Sequence, residues 1–102
     1  MSKIYSLSEI QEKLLPVFRA LPIERAILFG SYAKGEAHEK SDVDILIDSK
    51  GQIRGIDFFG VIADIEDALS IDVDLFDTTH LIEGGRVQQE INNTGVLIYE
   101  RI

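Results

Sequence analysis

Cysteine is missing from all 102 residues, which excludes a disulfide framework and thiolate metal sites. No apolar run is long enough to cross a bilayer, and the N-terminal MSKIYSLSEIQEKLL lacks the apolar core of a secretory leader. The expectation is a cytoplasmic protein. Basic residues are scarce: 10 Lys and Arg against 18 Asp and Glu give a net charge of −8. A general nucleic-acid binder needs cationic surface to displace counterions from phosphates, so neither direct nucleic-acid binding nor attachment to anionic membranes is expected. The acid does not exclude a phosphate ligand that arrives with divalent cations, and it suits docking on a basic protein surface. Two familiar phosphate signatures are missing as well, since neither G-x-x-x-x-G-K-[ST] nor G-x-G-x-x-G occurs.

What is present fits a single domain over residues 1–102. The hydrophobic share of 45% is normal for a globular chain. A chain of this size buries roughly two-thirds of its unfolded surface, so any active site is expected to be shallow or shared with a partner. Residues 6–21 read as a helix: Ser6 and Glu9 form a capping box, and Leu7, Ile10, Leu14, Phe18 and Leu21 recur at helical spacing. Pro16 is expected to kink or split it. ERAILFG, 24–30, reads as a buried strand, and 31–41 as a turn with at most one turn of helix. DVDILID, 42–48, alternates, with Val43, Ile45 and Ile47 on one face and Asp42, Asp44, Leu46 and Asp48 on the other. A helix over 56–70 carries Phe58, Ile62, Ile65 and Leu69 along one stripe. IDVDLFD, 71–77, alternates again. A last helix over about 85–94 is capped by Gly95, and VLIYE, 96–100, reads as a closing strand. The order α-β-β-α-β-α-β predicts an α/β (α+β) domain around a small sheet.

The chemistry concentrates in LFGSYAKGEAHEKSDVDILID, residues 28–48. Asp42 and Asp44 stand two residues apart, so their side chains share one face of the strand, roughly 6–7 Å apart. Two anions on one face repel unless a cation lies between them. Mg²⁺ suits that place, because it takes carboxylates together with substrate phosphates. Asp72 and Asp74 repeat the pattern on a later strand. If the two strands are neighbours, three or four carboxylates converge, as a two-metal phosphoryl-transfer site requires. The plain alternative is an acidic solvent face, but aspartate is disfavoured in strands and the D-x-D pattern occurs twice. For Asp48 and Asp72, at strand ends, a turn or cap role is the simpler reading. Gly30 lets backbone approach a phosphate, the Ser31 hydroxyl adds a donor, and Lys34 can reach as a point charge.

Gly30-Ser31, then Lys34-Gly35, then Ser41-Asp42-Val43-Asp44 resembles the G-S-x-x-x-G and D-x-D signature of the DNA-polymerase-β-like nucleotidyltransferases. "GSYAKG" and "SDVDILID" are similar to the minimal nucleotidyltransferase (MNT) family, whose members consist of little but the catalytic core. That resemblance implies the polymerase-β-like fold, a small mixed sheet flanked by helices. It implies that Gly30 and Ser31, with Lys34 and Ser41, hold the nucleotide, and that Asp42, Asp44 and Asp74 ligate Mg²⁺, two ions being expected, with ATP as substrate. Asp74 would also help deprotonate the attacking hydroxyl. Many relatives carry Arg where Lys34 stands, which replaces a bidentate fork by a point charge.

The resemblance further implies an antitoxin of a type VII-like HEPN/MNT module. Such a protein transfers AMP from ATP to a tyrosine of its partner, a helical HEPN-domain ribonuclease toxin. The alternative is an antitoxin with a vestigial site that works by occlusion alone. The chain has no R-x(4–6)-H ribonuclease motif of its own, and His38 and His80 read as surface residues. Tyr32, beside the glycine loop, either packs, stacks on a base or accepts AMP itself, packing being the simpler reading. Tyr99 reads as core or interface.

Overall fold

Ser6 opens the first helix as its sequence requires. Its hydroxyl accepts the Glu9 N–H at 3.2 Å, and the Glu9 carboxylate accepts the Ser6 N–H at 3.0 Å. In the computed structural model, which describes residues 4–101, this helix, α1, runs Leu7–Ala20. The ends of the expected 1–102 domain lie outside the described residues. α1 continues through Pro16 without a break, so the proline does not split the helix. Pro16 and Glu12, whose carbonyl loses its partner, are both exposed, so water can take that carbonyl and no buried group is orphaned. Ile10, Leu14 and Phe18 form the buried stripe.

The strands are β1 (Arg25–Phe29), β2 (Val43–Asp48), β3 (Val73–Asp77) and β4 (Val96–Glu100). They make one sheet in the order β3-β2-β1-β4. β1 pairs antiparallel with β2 and with β4, whereas β2 pairs parallel with β3. A parallel pair needs a crossover, and α3 (Ile56–Leu69) supplies it. The short α2 is Ser31–Lys34, and α4 is Arg86–Thr94 with Gly95 as its C-cap. The sheet is thus small and mixed, as expected.

Because side chains alternate along a strand, the register sorts the two faces. Ala26, Leu28, Ile45, Ile47, Val43, Val73 and Leu75 face α1 and α3 and form the main core with Ile10, Leu14, Phe18, Val61, Ile65 and Leu69. Each fully buried aliphatic or Phe side chain there contributes on the order of 1.5–3 kcal/mol. The expected α3 stripe is shifted slightly: Val61, Ile65 and Leu69 are buried, with Phe58 and Ile62 only partly so. Tyr32 and Tyr99 belong to this core, which bears out their packing role.

Two polar devices fix the frame. Asp77, at the end of β3, points into the core and is 1% exposed. Its carboxylate accepts from the Ser49 hydroxyl at 3.0 Å and from Thr79 N–H and Oγ1, both at 3.0 Å. Arg101, beyond β4, reaches back across α1. Its guanidinium donates to the carbonyls of Leu21 (2.7 Å), Ile23 (3.2 Å), Phe18 (3.3 Å) and Arg19 (3.4 Å). Carbonyls left open at the helix end thereby gain a charged donor.

Candidate active site

The second face of the sheet is organised in rows. In the first, Phe29 of β1 stands opposite Asp44 of β2, and Asp44 opposite Asp74 of β3. In the next, Ile27, Leu46 and Phe76 follow in the same order. Leu46 is only 5% exposed, and the rings of Phe29 and Phe76 lie 5.9 Å apart. An apolar floor therefore lies beside the carboxylates. The third row holds Arg25 opposite Asp48, with ion pairs to Asp48 from Arg25 at 3.8 Å and Lys50 at 3.5 Å. Asp48 thus takes a structural place at the strand end, as its position suggested.

Gly30 ends β1 at φ 76° and ψ −152°, a region that only glycine occupies readily. A Cβ at this position would collide with Asp44 Oδ2. The Gly30 N–H donates to Thr94 Oγ1 at 3.0 Å, and that hydroxyl donates to the Glu90 carbonyl at 2.8 Å. Gly30 therefore serves Asp44 by leaving it room, and its N–H is engaged by α4. Ser31 begins α2, which stops at Gly35 in the left-handed conformation. A tight turn over residues 38–41 then delivers Asp42. The Ser41 hydroxyl accepts the His38 N–H at 2.9 Å, and His38 Nδ1 accepts the Lys40 N–H at 3.2 Å. On the other strand, the Glu66 carboxylate accepts the Val73 N–H at 3.1 Å and pins the start of β3.

These elements enclose a cleft of ≈ 250 Å³ lined by Ser31, Asp42, Asp44, Asp74, Phe29 and Phe76 from the sheet side and by Arg86, Val87 and Glu90 of α4. The cleft unites Ser31 with all three expected carboxylates. Lys34 and Ser41 do not line it: the Lys34 ammonium is exposed, 3.7 Å from Glu36. Asp72 is exposed and outside the lining, its carbonyl accepting the Val43 N–H at 3.1 Å. Arg86 and Glu90 were not singled out from the sequence. Their spacing of four places them on one face of α4 with Val87, the only signal they gave.

The carboxylates perturb one another. Burial, then the negative charges of Asp74, Glu90 and Asp42 and a hydrogen bond donated to Asp74, push the Asp44 carboxyl up to about 6. Burial, then the charges of Asp74, Asp72 and Glu66, raise Asp42 as well. The protein alone leaves this charge uncompensated, and the donors are all hard oxygens of the kind Mg²⁺ selects. Among the described residues no three acidic, histidine or cysteine side chains are gathered tightly enough to hold a metal ion by themselves.

The family model described as Polymerase beta, Nucleotidyltransferase matches residues 12–102. The provisionally named protein adenylyltransferase MJ0435 of Methanocaldococcus jannaschii is 30% identical over 87 residues, covering 83% of this chain and 94% of its own. A solved toxin–antitoxin with AMP-PNP aligns with a TM-score of 0.76 at 25% identity, over 89% of this chain and 73% of that one. A complex of tri-AMPylated Shewanella oneidensis HEPN toxin with MNT antitoxin shares the fold, with a TM-score of 0.71 at 21% identity over 93% and 73% of the two chains.

Proposed function

The chain belongs to the polymerase beta nucleotidyltransferase family and is a nucleotidyltransferase, and from that premise we propose that it transfers AMP from ATP to a hydroxyl of a partner protein, a tyrosine of a HEPN-domain toxin that it silences as antitoxin. The observation that carries this reading is Asp44 facing Asp74 in register, in one cleft with Asp42 and Ser31. The relatives support the substrate class: one is named for protein adenylylation, and one toxin–antitoxin neighbour holds AMP-PNP. A net charge of −8 favours docking on a basic, RNA-cutting partner.

Asp42 and Asp44 from the β2 side and Asp74 from β3 would hold Mg²⁺, with two ions expected. When bound, the metal offsets the charge that builds on the reacting phosphoryl group. The residues do the rest. Ser31 donates its hydroxyl to a phosphate oxygen at the mouth of α2. Asp74, exposed where Asp44 is half-buried, accepts the proton of the attacking hydroxyl and passes it to water. The hydroxyl oxygen bonds to the α-phosphorus while the bond from that phosphorus to the bridging oxygen breaks, and pyrophosphate leaves. A cleft of ≈ 250 Å³ is small for a whole-ligand pocket. It suits the phosphates, with the nucleoside outside and an open approach for a protein acceptor.

The test is intact mass spectrometry of a candidate HEPN-domain partner after incubation with the chain and MgATP. A gain of whole AMP units, absent with Asp44→Asn, is expected. No gain, with a tight complex and unchanged neutralisation by the variant, would replace transfer by occlusion.

A further inference from the structure

Resting on the nucleotidyltransferase reading, we propose that Arg86 grips the polyphosphate tail of the nucleotide, the part that leaves as pyrophosphate. Three independent features point to it. First, the cleft wall carries four carboxylates, Asp42, Asp44, Asp74 and Glu90, and a single cationic side chain, Arg86. A triphosphate entering so acidic a cleft needs more positive charge than a backbone turn supplies, and a guanidinium meets phosphate oxygens with two parallel N–H donors.

Second, Arg86 is free. It stands four residues before Glu90 on α4, the spacing at which helical ion pairs close. Yet among the described residues its guanidinium makes no ion pair with Glu90 or any other carboxylate, and no hydrogen bond. Several other cations are engaged: Lys34 lies 3.7 Å from Glu36, Arg25 and Lys50 lie against Asp48, and Arg101 binds carbonyls. Arg19 and Lys40 are also unpaired among the described residues, but neither lines the cleft.

Third, Arg86 breaks a local rule. It is the first residue of α4, and that first turn has no acidic residue. A cation at a helix N-terminus opposes the macrodipole, by about 0.3–1 kcal/mol at an exposed site. A charge kept where the helix disfavours it, unpaired and aimed at a cleft, is the mark of a functional position. Asp42, Asp44 and Asp74 cluster on the opposite wall, at the reacting phosphoryl group. The cation across from them falls to the rest of the chain of phosphates.

Calorimetric binding of ATP and of AMP, each with Mg²⁺, tests this on the whole chain and on Arg86→Gln, Arg86→Lys and Lys34→Gln. Arg86→Gln should weaken ATP at least tenfold and AMP less than twofold. Arg86→Lys should restore part of the loss, and Lys34→Gln should cost less than Arg86→Gln. The melting temperature of Arg86→Gln should stay level or rise, because the helix loses an unfavourable charge; a structural role would lower it. Equal weakening of ATP and AMP, no weakening at all, or a larger loss from Lys34→Gln would overturn the assignment of Arg86 while leaving the transferase reading intact. Failure of the unaltered chain to bind either nucleotide would remove both.

Discussion

Asp44 and Asp74 face each other across two parallel strands, and in this setting Asp44 resists ionisation. Burial and the neighbouring anions hold its carboxyl at about 6, against an ordinary value of 3.8. A folded-state pKa raised above the unfolded one stabilises the fold at low pH, and that contribution is lost as pH rises through about 6. Without bound cation, the fold therefore carries an electrostatic cost at neutral pH. Asp44→Asn should abolish transfer and yet stabilise the protein at pH 7.5 by about 1 kcal/mol, after discounting for the half-exposure of the group. The gain should shrink by pH 4.5. Denaturant unfolding of both proteins at the two pH values checks this, and a variant less stable at pH 7.5 would refute it.

Gly30 gives Asp44 its space. Gly30→Ala should cost about 1–3 kcal/mol, because alanine is strained in this backbone region and its Cβ meets the Asp44 carboxylate. The two effects separate in a double-mutant cycle. The same substitution in an Asp44→Gly background should cost less, with a coupling of about 0.5–3 kcal/mol. Additive costs would mean that only the backbone matters.

Arg101 ties the last strand to the first helix. Arg101→Gln should lose about 2 kcal/mol, the worth of a charged donor to carbonyl groups, and lower the melting temperature by about 8–16 °C. Lys at this position should recover little, because a point charge cannot span four carbonyls held in a fan. Nucleotide binding at 10 °C should be unaffected, which separates this residue from the cleft.

The elements were readable because each carries a local signature. The Ser6–Glu9 box, the Gly95 cap and the alternation in 42–48 are properties of neighbours in sequence, and the structure reproduces them within a residue or two. D-x-D was readable for the same reason. What escaped is what depends on register and on the other face. Leu46 shares the aspartates' face, as the alternation predicts, but its burial at 5% exposure depends on neighbours such as Ile27 and Phe76 that only the strand register supplies. Arg86 and Glu90 look like ordinary polar residues of a surface helix until the helix is laid over the cleft. Asp77, a strand-end aspartate like Asp48, is buried because Ser49 happens to meet it. Pro16 does not split α1, and it and Glu12, four residues before it, both lie on the exposed side of the helix, which a propensity cannot foresee.

The parallel pairing of β2 with β3 has one further consequence, concerning synthesis. The walls of the cleft are drawn from residues 29 through 90, and Gly30 is held by Thr94. A growing chain that has presented its glycine loop and D-x-D still has half a pocket, and it gains the other half only when α4 has cleared the ribosome. Chemical competence and completion of the domain therefore arrive together, so a truncated or stalled chain displays the motif without the machine.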